Sequence, residues 1–184
     1  LDFYQGIREL VGHLIETHGC RRIAFIRGPQ ESQTAEERYH AYLKAISEYG
    51  IPFDPELIAP GTFFAPSGAE AVRLLLDERK AQFDAIAAAN DWMALDAMQA
   101  MQTRGIRVPA DVAVVGFDDQ KEAGVAVPPL TTTQLQADKR GKRAQKILCF
   151  RARIHDRHAK GCSIESLVIV RLTFYLEGHV VQIA

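Results

Sequence analysis

Four short apolar runs along the chain end in turn residues, and they alternate with four segments that have the period of an amphipathic helix; no other feature limits its folding as much. The runs are Arg22–Arg27, Leu57–Ala59, Phe83–Ala89 and Val112–Phe117, closed by Gly28-Pro29, Pro60-Gly61, Asn90-Asp91 and Asp118-Asp119. Helical spacing places Ile7, Leu10, Val11, Leu14 and Ile15 on one face ahead of Gly19. A Thr34-x-x-Glu37 capping box predicts a second helix with Ala41, Tyr42, Ala45 and Ile46 inward, running to Gly50. Ser67 is read as the cap of a third helix carrying Ala69, Val72, Leu75 and Leu76. Asp91 to Thr103 forms the fourth, with Met93, Ala94, Ala97, Met98 and Met101 inward and Gly105 beyond its end. Strands that alternate with helices of this length build βαβ units, so the fold class is α/β, a parallel sheet buried by helices on both faces.

Composition agrees with a packed globule. With 47% hydrophobic and 24% charged residues in 184, the chain can bury a substantial core and is neither disordered nor a coiled coil. Twenty-two Lys and Arg against 23 Asp and Glu leave a net charge of -1, so no global field draws the chain to nucleic acid or to an anionic membrane. No apolar run is long enough to span a bilayer. Leu1-Asp2-Phe3 carries neither an initiator Met nor a signal-peptide pattern, and the chain reads as a fragment. Cys20, Cys149 and Cys162 are odd in number and without a CxxC pair, which reads as free thiols in a reducing compartment.

In open parallel sheets ligands sit beyond the carboxyl ends of the strands. Arg38, Phe63, Asn90 and Asp118 lie at or near those ends and together offer what a polyol needs. Arg supplies a fork of donors, Asp accepts two hydroxyl protons, Asn does both, and a ring stacks on the C–H face of a sugar. Each has a plainer reading: Arg38 as a solvated helix charge, Phe63 as core, Asn90 and Asp118 as helix caps. Trp92 reads equally as a stacking ring or as packing. Catalytic constellations are weak: the six His lack HExxH spacing, and GxSxG, GxxxxGK[ST] and GxGxxG are absent. Neither a metal nor a cofactor is expected. Asp118-Asp119 could pair as acid and base or hold a metal, but adjacent carboxylates diverge at a strand end. After Pro128-Pro129-Leu130 the character changes: Asp138–Ile154 reads as a basic helix with a thin apolar stripe, Leu167–Phe174 as a strand, and Tyr175–Ala184 has no evident partner.

RRIAFIRGP at 21–29, ERYHAYLKAISEYGI at 37–51, FDAIAAANDWMALDAMQAMQTRGIRVPADVAVVGFDD at 83–119 and PPLTTT at 128–133 closely resemble the effector-binding core of lac repressor family transcription regulators. The resemblance is close over about residues 1–133 and weak over 134–184. It implies a periplasmic-binding-protein type I-like, Rossmann-like lobe: 1–133 as the C-terminal lobe of an effector domain, 134–184 as crossover and return toward an N-terminal lobe. It also implies that a small effector, a sugar or related metabolite, is sensed by lobe closure. The partners it implies are operator DNA, through a helix-turn-helix outside this chain, and a second copy in a cytoplasmic homodimer, with no membrane. Arg38, Phe63, Asn90 and Asp118 match effector-contacting positions of the family. The same sensor fused to a diguanylate cyclase or histidine kinase, an extracytoplasmic sugar-binding protein, and an enzyme acting on a small polyol are the rival readings. Two departures stand out. Asp96 replaces the Gly of the family's MALGA pattern, on a helix face used for dimer contacts, where an unpartnered carboxylate weakens self-association. Leu135 occupies a position that is usually Gln.

Overall fold

A computed structural model describes residues 3–137, 143–148, 172–176 and 179–183, with side chains described over 5–133. The first apolar stripe winds into α1 (Phe3–His18), which ends where Gly19 turns to φ 68°. Four parallel strands follow: β1 (Ile23–Ile26), β2 (Ile58–Ala59), β3 (Ala85–Ala88) and β4 (Ala113–Val115), in the order β2-β1-β3-β4. Ile23 pairs with Ala85, Phe25 with Ile58, and Ala85 with Ala113. Every residue of β1, β3 and β4 is buried, as a parallel sheet covered on both faces requires.

The connections are α2 (Gln33–Glu48), α3 (Ser67–Arg73, prolonged by a π-helical turn at Leu74–Glu78) and α4 (Asp91–Thr103). The chain steps outward from β1 to β2, then back across the sheet to β3 and on to β4. Right-handed crossovers therefore put α2 on one face, where it packs on α1, and α3 and α4 together on the other. The order reverses between β1 and β3, and the crevice beyond their carboxyl ends is the switch point where ligands bind in such sheets. Beneath it Phe25 stacks on Tyr42 at 4.7 Å between ring centroids, and the Tyr42 hydroxyl donates to Ile23 O at 2.9 Å.

Past β4 the chain forms the short α5 (Lys121–Val125), and Thr131 makes a parallel bridge with Val115. β5 (Thr132–Ala137) then pairs antiparallel with β6 (Arg143–Leu148), Thr132 opposite Leu148. This corrects the expected helix over Asp138–Ile154. Its thin apolar stripe offers a helix little packing, whereas β5 offers six residues of backbone pairing a short distance away. The rest of that stretch lies outside the described residues, as does most of the expected strand at Leu167–Phe174, whose described part belongs to β7 (Leu172–Leu176). The tail that had no partner in the sequence contains β8 (His179–Ile183), antiparallel to β7.

Two caps also differ from expectation. Ser32, not Thr34, caps α2: its backbone is extended and its side chain accepts from Ala35 N at 3.3 Å. Ser67 is the first residue of α3, with its hydroxyl donating to Phe64 O at 2.6 Å. Among the described residues no helix is long and apolar enough to cross a membrane.

Candidate functional site

The four residues singled out by sequence meet at the switch point. Arg38 leaves the second turn of α2 and is buried, its side chain only 5% exposed. Its Nη2 donates to Asp118 Oδ1 at 2.8 Å, and Nη1 reaches Asp118 Oδ2 at 3.5 Å and Ala89 O at the end of β3. The guanidinium lies 4.2 Å from the centre of the Phe117 ring and 5.6 Å from that of Phe63. Asn90 stands two residues past the end of β3 and caps α4: Oδ1 accepts from Met93 N at 3.1 Å while Nδ2 donates to Phe63 O at 2.8 Å. Its plainer reading as a cap is correct, and the same amide fixes the loop that carries Phe63. Arg38 is not a solvated charge, and Phe63 is only half-buried.

Backbone strain gathers here as well. Four non-glycine residues of the described chain have positive φ, and three of them, Phe63 (69°), Asp118 (111°) and Asp119 (53°), stand on this rim. Gly28, at the turn after β1, gives Phe63 its place: a Cβ there would overlap the Phe63 ring and the Ala35 methyl. Burial pushes the Asp118 carboxyl up, opposed by Arg38, and burial lowers the Arg38 guanidinium, opposed by Asp118. The pair is a preformed, charge-assisted fork from which Asp118, with 32% of its side chain exposed, still faces solvent.

Sequence reasoning passed over Asp91. An acidic residue just after a helix cap usually complements the helix dipole from the surface, but this one is 0% exposed. Its Oδ1 accepts from the Thr132 hydroxyl at 2.7 Å, its Oδ2 from Gln120 N at 2.8 Å, and its own N donates to Phe117 O at 2.8 Å. Gly116 makes room, since a Cβ there would overlap Asp91 Oδ1. Burial raises the Asp91 carboxyl to about 6, against the pull of the Thr132 hydrogen bond. That glycine, 25 residues downstream in VVGFDD, was the one available signal.

The Asp118 carboxylate is engaged by Arg38, and the backbone amide of Asp119 bonds back to Thr132 Oγ1 at 3.3 Å. No cluster of three or more metal-ligating groups occurs among the described residues. Trp92 is 41% exposed, so it is not core packing. Asp96 is partnered within the chain, accepting from Ala69 N at 2.6 Å.

A rim of this kind on this sheet defines a class, the periplasmic binding protein-like domains, whose family model matches residues 11–174. Within that class the chain belongs to the lac repressor (LacI) family of transcription regulators. It is 40% identical over 151 residues to the HTH-type transcriptional regulator CelR of Thermobifida fusca, covering 82% of this chain and 44% of CelR. Two solved structures superpose well. A CelR–cellobiose complex has a TM-score of 0.69 at 42% identity, over 73% of this chain and 40% of that one. A lac repressor dimer bound to operator and the anti-inducer ONPF has a TM-score of 0.68 at 34% identity, over 73% of this chain and 46% of that one. The chain thus spans less than half the length of these relatives.

Proposed function

We propose that this chain is the effector-sensing part of a transcription regulator, that its effector is a sugar or a related polyol, and that it has no catalytic role. The observation that carries the reading is the Arg38–Asp118 fork at the switch point, flanked by Asn90 and Phe63. A rigid fork with one exposed carboxylate recognises vicinal hydroxyls, and the Phe63 ring beside it suits the apolar face of a sugar. The complex of a similar regulator with cellobiose supports the choice of sugar.

Occupancy acts by population shift. An effector that binds better when a second lobe closes over this rim favours closure by its difference in affinity, and closure resets an attached DNA-binding element. Residues 1–133 form the C-terminal lobe in this reading, with 134–184 leading toward the other. The partners are operator DNA and a second copy of the chain, in the cytoplasm. Exposed apolar side chains support the homodimer: Trp92 on α4 is 41% exposed and Val127, tied to α4 through Gln102, is 85% exposed, while Asp96 on the same helix is partnered by Ala69 N and is no unpartnered carboxylate.

Calorimetry of the full-length regulator with cellobiose and other glucosides tests the site. Asp118→Ala or Arg38→Ala is expected to weaken binding by about 1–3 kcal/mol, the cost of removing one charged partner from a desolvated contact. Unchanged affinity in both variants would refute the assignment.

A further inference from the structure

Asp118, which meets Arg38, stands on the loop from Gly116 to Gln120 at backbone angles that an L-residue rarely adopts. The loop is fixed by three consecutive amides. Asp118 N donates to Thr133 O at 2.9 Å, Asp119 N to Thr132 Oγ1 at 3.3 Å, and Gln120 N to Asp91 Oδ2 at 2.8 Å. The Thr132 hydroxyl in turn donates a hydrogen bond to Asp91 Oδ1 at 2.7 Å. Two of the three amides therefore end on one carboxylate, one directly and one through a single hydroxyl. Asp91 is fully buried and does not reach an effector; it acts on the fork through the loop's hydrogen bonds and through its charge, which Arg38 and Asp118 both feel.

We infer that Asp91 is a positioning residue for the effector site: its two oxygens clamp the Gln120 amide and the Thr132 hydroxyl together, and this clamp sets Asp118 against Arg38. The inference rests on the reading of that rim as a binding site. A carboxylate suits the task because each oxygen can accept at once; a carboxamide has one accepting oxygen and must give up one of the two bonds. Gly116 belongs to the same device, since its missing Cβ is the space the Oδ1 atom occupies. The raised carboxyl, about 6, fits a group kept from water for what it holds.

The test uses the full-length regulator with Asp91→Asn, Thr132→Val and Thr132→Ser, read by amide exchange and by calorimetry with cellobiose. In Asp91→Asn and Thr132→Val, peptides spanning 118–121 are expected to exchange roughly tenfold faster while those from β1 and β3 keep their rates, with cellobiose binding roughly tenfold weaker. Thr132→Ser keeps the hydroxyl and should match the parent. Unchanged loop exchange, or acceleration spread equally over β1 and β3, would overturn the positioning role in favour of none or of a purely structural one. Cellobiose binding untouched by Asp118→Ala overturns the binding-site reading instead, and loop exchange then decides Asp91 by itself.

Discussion

A carboxyl held near pH 6 inside the lobe ties stability to pH at the level of one residue. Asp91 titrates at about 6 in the folded protein against an ordinary 3.8, so between those values the native state keeps a proton that the unfolded chain has released. Its contribution favours the fold at the acid end of that window and is lost as pH rises through 6. Asp118 and Asp119 face it with the same sign of charge, and Arg38 opposes them. Urea unfolding at several pH values from 4.5 to 7.5 should therefore show the stability of the parent relative to Asp91→Asn falling as pH rises. A difference that stays flat or grows with pH would mean that the carboxyl is ionised throughout.

At the scale of elements, α3 and α4 approach closely because Gly68 has no side chain. A Cβ there would overlap Met93 O and come within 2.8 Å of Ala97 N, both backbone atoms that no rotamer can move aside. Gly68→Ala should cost about 1–3 kcal/mol in chemical denaturation, the range for overpacking a fitted contact, and a loss below a few tenths would show that the helices slide apart freely. Elements whose signals are local were legible in the sequence: α4 runs over the predicted Asp91–Thr103 because its Asn90 cap and Gly105 stop are both close to it in sequence. β6 was not legible, because its partner β5, rather than its own composition, decides its conformation. The site divides the same way. Arg38, Phe63, Asn90 and Asp118 were marked by their places at strand ends, but the fork between Arg38 and Asp118 spans 80 residues and is a product of strand order alone. Asp91 stayed hidden because the gap it fills is opened by Gly116 on another strand end.

For the whole molecule, the proposed dimer makes a specific demand on the outer face of α4. Gln102 Nε2 donates to Val127 O at 2.9 Å, tying the α5 segment to the same helix that bears Trp92 and Asp96. Val127 is 85% exposed, so Val127→Asp removes nothing from the core and should leave the melting temperature of the separated subunits nearly unchanged. In the full-length regulator, sedimentation equilibrium should show self-association at least tenfold weaker, because a carboxylate would be desolvated in the contact. Equal association of parent and variant would place the dimer elsewhere.

Trp92 is the only tryptophan in the sequence and stands two residues beyond Asn90, half in solvent at the start of α4. The chain therefore carries a built-in fluorophore whose emission comes from a single environment. Its colour reports how much water the indole meets, so unfolding of this chain and its titration with a sugar can both be followed optically without a label.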